Sequence, residues 1–130
     1  MKTITKQWLE LAKTDLLACE RTLNDAMLTN IVAFHAQQTV EKCFKAIIEE
    51  NGMHLTRIHD LTRLFSQILE EVDFEVDFAF LQVLDSIYTS SRYPSDLGLL
   101  PEGKPTIELV AQLYQFAKNV YENTIKMIEK

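Results

Sequence analysis

Apolar residues recur at three- and four-residue intervals along almost the whole chain, the period of helices that bury one face. No run alternates apolar and polar residues for long enough to indicate a sheet. Five segments follow from this pattern. The first, Lys6 to Met27, carries Trp8, Leu11, Ala12, Leu16, Cys19, Leu23 and Ala26 on one stripe, with Thr5 placed to cap its start. The second, Asn30 to Glu50, aligns Ala33, Ala36, Val40, Cys43, Phe44 and Ile47, and Asn51-Gly52 supplies the stop. A short third segment covers Asp60 to Glu71. The fourth, Phe74 to Ser91, carries Phe78, Leu81, Leu84 and Tyr88. The fifth runs from Thr106 to the end with Ile107, Val110, Tyr114, Ala117, Tyr121 and Ile128. The pattern predicts an all-α fold, an up-and-down four-helix bundle with an additional short helix, as one domain over residues 1–130. The chain reads as free of internal repeats. Its longest connection, Arg92 to Pro105, holds all three prolines and two of the three glycines.

Composition agrees with one compact domain. The 130 residues are 47% hydrophobic and 25% charged, which excludes intrinsic disorder. Thirteen Lys and Arg against nineteen Asp and Glu give a net charge of -6, the wrong sign for a protein that binds nucleic acid mainly by neutralising phosphates. Cys19 and Cys43 sit among apolar neighbours without ligand spacing, as buried free thiols in a reducing, cytoplasmic setting do. The start of the chain lacks a signal-peptide pattern, and no apolar run is long enough for a bilayer. The fifth segment is apolar over more than half its circumference: Leu109, Leu113, Phe116 and Val120 lie away from its main stripe, and Phe34 points off the apolar side of the second. A second apolar flank of this kind predicts a homodimer.

Candidate chemistry concentrates on the second segment. His35, Gln38, Lys42 and Lys45 follow one another at spacings of three, four and three, which sets an imidazole, an amide and two ammonium groups on one line. Such a line suits a phosphate or an acidic partner, and equally a solvated helix face. Gln37 lies at the edge of the core and needs hydrogen-bond partners inside the bundle. His59-Asp60 precedes an apolar-periodic run, so Asp60 is placed to cap it. Asp15 falls in the middle of an apolar stripe and Asp85 at the edge of another. Each needs a partner if buried, and Arg92 is expected to pair with one of them. Pro94 biases Tyr93 out of helical conformation and fixes the chain exit. No Glu is followed three places later by His, so no metal is expected, and no cofactor. No nucleophile elbow or glycine-rich phosphate loop is present.

These residues resemble a family. Trp8 with Ala12, Asp15-Leu16 and Ala18, then Phe34-His35-Ala36-Gln37-Gln38 with Val40-Glu41-Lys42 and Lys45-Ala46, then His59-Asp60-Leu61, then Arg92-Tyr93-Pro94 are together similar to a prokaryotic HEPN domain over nearly the whole chain. The resemblance implies a dimeric bundle of four long helices and a short one. It also implies a gene beside a minimal nucleotidyltransferase, often as a toxin–antitoxin pair. Some members of the family are metal-independent ribonucleases that use an Arg followed by four to six residues and a His near the end of the fourth helix. Here Arg92 is followed by Tyr93-Pro94-Ser95-Asp96-Leu97-Gly98, and no His follows His59 anywhere. The expected function is therefore a binding module, dimeric, acting with a minimal nucleotidyltransferase partner or binding a nucleotide. His35, Gln38, Lys42, Arg92 and Tyr93 form its site, and Asp15, Gln37, His59, Asp60 and Asp85 are its structural polar residues. A ribonuclease toxin with a divergent site, acting on RNA, and a structural assembly subunit are the alternatives.

Overall fold

A computed structural model describes residues 1–55, 57–92 and 104–130, with the backbone alone for 89–92. All regular elements among the described residues are helical: α1 (Thr3–Thr22), a 3-10 turn (Ala26–Leu28), α2 (Thr29–Glu50), α3 (Leu61–Ile68), α4 (Phe78–Arg92) and α5 (Ile107–Ile128). The expected bundle of four long helices and one short one is the fold. Its up-and-down course is visible in pairs of contacts. The start of α1 meets the end of α2 through the Lys2 amide and the Glu50 carboxylate at 3.0 Å. Tyr114 and Tyr121 of α5 meet Glu20 and Lys13 of α1 in reversed order. Phe34 near the start of α2 stacks on Tyr88 near the end of α4.

Helix α2 is the axis of the molecule and touches α1, α3, α4 and α5. That position explains its composition. Val32, Ala33, Ala36, Val40, Cys43, Phe44, Ala46, Ile47 and Ile48 are all buried, well over half a turn of apolar surface. It ends as its sequence dictates. Gly52 has φ +66°, its N–H donates to the Glu49 carbonyl and the Met53 N–H to the Ile48 carbonyl, a Schellman closure that a residue with a Cβ enters only under strain. Both cysteines are buried and free.

Several sequence expectations need correction. Helix α1 starts before Thr5, which is buried inside it and donates its hydroxyl to Glu50 Oε1 at 3.0 Å; Glu50 does the capping from the neighbouring helix. Leu9 rather than Leu11 enters the core, because α1 is rotated to put Thr5, Leu9, Ala12 and Leu16 against α2. The fourth helix begins at Phe78, not Phe74, with the Asp77 carboxylate accepting the Ala79 N–H at 3.0 Å. The preceding residues are a tandem Glu-Val-Asp-Phe, 71–74 and 75–78, a repeat that the helical reading overlooked. In the part that precedes α4, Val72, Phe74 and Val76 are half-buried while Glu71, Asp73, Glu75 and Asp77 are exposed. The second flank of α5 also changes meaning. Leu113 and Val120 are core residues, and Leu109 and Phe116 are partly buried against that core, since α5 packs chiefly on α2 and also touches α1 and α4. Ile107 and Phe78, assigned to core stripes, are exposed.

Candidate functional site

The polar line on α2 is not a solvated face. Two carboxylates gather it. The first is Asp15, which α1 holds in its buried stripe between Ala12 and Cys19. Its Oδ1 lies 2.8 Å from His35 Nδ1 and its Oδ2 accepts from Lys42 Nζ at 2.5 Å. A carboxylate only accepts, so this contact puts the ring proton of His35 on Nδ1 and leaves Nε2 as the free nitrogen. The His35 and Lys42 side chains remain 28% and 20% exposed, so each keeps an edge on solvent. Beside them the Phe34 ring, 37% exposed, meets the His35 ring edge-on at 5.2 Å and stacks on Tyr88 at 5.7 Å.

The second carboxylate is Glu41, which sequence reasoning did not place in the site. It accepts from Gln37 Nε2 at 3.2 Å and from Lys45 Nζ at 3.0 Å, and its Oε2 lies 3.2 Å from His59 Nδ1. The Glu41 and Lys45 side chains are only 5% and 8% exposed. Gln37, fully buried, also donates to the His59 carbonyl and accepts from Gln38 Nε2 at 2.6 Å. Lys45 Nζ sits over the Trp8 ring at 5.5 Å, which ties α1 into the same network. The sequence signal that marks Glu41 is its spacing: four residues after Gln37, four before Lys45, between the core residues Val40 and Phe44.

A third polar node secures α3. Asp60 accepts from the Thr62 N–H at 3.1 Å and from its hydroxyl at 2.6 Å. Asp85 reaches across from α4 and accepts from the Leu61 and Thr62 amides at 2.9 and 3.3 Å. Burial, and then the neighbouring Asp60, push the Asp85 carboxyl up to about 7, while Asp60 is held below the usual carboxylate range by its hydrogen bonds. The structure thus brings Asp15, His35 and Lys42 into one cluster, Gln37, Gln38 and His59 into the Glu41 cluster, and Asp60 with Asp85 at α3. Arg92 closes α4, four residues after Tyr88. Its side chain, the pairing expected of it, Tyr93 and most of the 92–105 connection lie outside the described residues.

Among the described residues, no group of three or more His, Cys, Asp and Glu side chains is placed to hold a metal ion, and no helix is long and apolar enough to cross a membrane.

The HEPN domain family model matches residues 5–128 of this all-helical bundle. The chain belongs to the HEPN domain family. Among solved structures, the chain is similar to TT1696 from Thermus thermophilus, with a TM-score of 0.82 and 23% identity over 97% of this chain and 99% of that one. It is also similar to ST0689, an archaeal HEPN homologue, with a TM-score of 0.73 and 23% identity over 98% and 99% of the two chains. At that identity the likeness speaks for the fold alone. No curated protein matches the chain at a significant level.

Proposed function

We propose that this chain is a HEPN binding module that recognises a nucleotide on the α2–α4 face, as a homodimer and beside a minimal nucleotidyltransferase-type partner. One observation carries the nucleotide reading: a half-exposed aromatic stack, Phe34 on Tyr88, adjoins His35, which shares the Asp15 carboxylate with Lys42. A base stacks on such a ring, and each stacked base is worth about 1–3 kcal/mol. The phosphates then meet Lys42, which has three donors and gives one to Asp15, while His35, held beside it through Nδ1, lines the site. Asp15 is the positioning group, because it holds both His35 and Lys42 before a ligand arrives. Arg92, the last residue of α4, and Tyr93, the next in sequence, are assigned to the proposed site from the sequence alone. The homodimer and the nucleotidyltransferase-type partner rest on the HEPN resemblance, since the α5 flank that pointed to a second copy is largely inside the bundle.

Calorimetric titration of the purified chain with ATP and GTP tests the reading. Binding that Phe34→Ala weakens about tenfold or more supports it. Binding unaffected by that change, or none, refutes it. Co-purification with the product of the adjacent gene tests the partner.

A specific observation also favours the ribonuclease alternative. A His whose Nδ1 is held by a buried carboxylate presents Nε2 as a general base, and Asp15 with His35 is such a pair. RNA cleavage without added metal that His35→Gln abolishes would favour this enzyme reading over the binding module.

A further inference from the structure

A cleft of about 970 Å³ opens between α3, the 72–77 segment, the start of α4 and α5, and none of its lining residues belongs to the α2 site. Its floor is aromatic: Phe65, Phe74, Phe80 and Phe116, the last two stacked with centroids 5.1 Å apart. One bank is a row of four carboxamides, Gln112, Gln115, Asn119 and Asn123. Their spacing of three, four and four keeps them on one line of α5 for roughly 16 Å at the rise of an α-helix. The other bank is the tandem repeat, which contributes Glu75 and Asp77.

Each feature narrows the occupant. The described lining includes two carboxylates and no basic side chain, and the repeat adds Glu71 near it while Asp73 is paired with Lys130 Nζ at 2.6 Å, so an anionic ligand is disfavoured. A second copy of this chain docking by the same face would set these acids against each other. Carboxamides offer both donors and acceptors without charge, which suits the alternating N–H and C=O groups of a polypeptide backbone. The row is about as long as five residues of extended chain. Gln115 Nε2 donates to Asn119 Oδ1 at 3.0 Å, which leaves the Gln115 oxygen and the Asn119 nitrogen for a ligand. Among the described residues, the backbone groups of Asp73 to Val76 make no hydrogen bond to the protein, so the acidic bank has its own open N–H and C=O groups.

We propose that this cleft docks an extended, basic segment of a partner protein whose alternate side chains are apolar. The apolar residues settle on the phenylalanine floor, the cations face Glu75 and Asp77, and the α5 carboxamides hold the backbone. This site is independent of the nucleotide reading.

The test uses the full chain and a labelled octapeptide, Lys-Val-Lys-Phe-Lys-Val-Lys-Phe, with a control of the same residues in which the four lysines are grouped at one end. Fluorescence anisotropy measures both. The alternating peptide is expected to bind about tenfold or more tightly than the control, and Gln115→Ala with Asn119→Ala, or Glu75→Lys alone, to remove that preference. These three side chains are exposed, so thermal melts should match the unaltered chain. Equal affinity for the two peptides marks plain charge attraction and overturns the proposal, as does no binding or binding indifferent to the substitutions. A change of oligomeric state on Glu75→Lys, seen by sedimentation, would make a second copy the occupant and also overturn it.

Discussion

Removing the Glu41 carboxylate should unfold this protein more readily than any other single polar change on α2. Glu41→Ala takes away the acceptor for Gln37, Lys45 and His59 at once. The three losses are unequal. The His59 side chain is 60% exposed and turns to water, and Gln37 keeps the His59 carbonyl. Lys45 decides the outcome, because its ammonium would stay in a nearly closed site without a counter-charge. Breaking a buried pair on one side costs about 3–5 kcal/mol. The Trp8 ring over Lys45 offsets about 0.5–1 of this, so a loss of about 3 kcal/mol is expected. For a chain of this size that corresponds to a Tm lower by about 10–15 °C. Urea unfolding followed by circular dichroism measures it, with an unchanged m-value showing that the two-state comparison holds. The companion variant is Glu41→Met with Lys45→Met, which removes both charges and should lie within about 1 kcal/mol of the unaltered chain. A Glu41→Ala loss below about 0.5 kcal/mol, or a double variant as damaged as the summed single changes, would refute a buried, coupled pair.

Other perturbations follow from single contacts. Asp85→Ala strips the acceptor from the Leu61 and Thr62 amides and should cost about 1–2 kcal/mol in urea unfolding, with hydrogen exchange speeding up first in α3. Gly52→Ala forces a Cβ into φ +66° and should cost about 1 kcal/mol, read from the same urea curves. Burial pushes the Cys19 and Cys43 thiols up to about 12. A raised folded value means stability is intact below pH 9 and falls above it, where only the unfolded chain ionises. The two thiols together should lose about 3 kcal/mol by pH 10, and Cys19→Ala with Cys43→Ala should flatten that decline.

The parts of this fold that the sequence disclosed are those set by local chemistry. Gly52 stops α2 and Asp60 starts α3 because turn and cap residues act within a few positions of themselves. What the sequence hid depends on neighbours distant along the chain. Thr5 reads as a cap until Glu50 arrives from α2 to take that role. The wide apolar arc of α5 reads as a surplus flank until the packing of α2, α1 and α4 buries Leu113 and Val120. In the same way, His35, Gln38, Lys42 and Lys45 were visible as a line of residue types, but nothing in their spacing told that Asp15 and Glu41 would divide them. The tandem Glu-Val-Asp-Phe was misread because its apolar residues also fit the start of a helix, and only the burial of Val72, Phe74 and Val76 separates the two periods.

Amide chemical-shift mapping with ATP on the full chain addresses the nucleotide-binding face most directly. Shifts concentrated at Phe34, His35, Gln38, Lys42 and Tyr88, and lost in Phe34→Ala, are the result this account requires. Spectra unchanged by ATP, or shifts gathered elsewhere on the bundle, would contradict it.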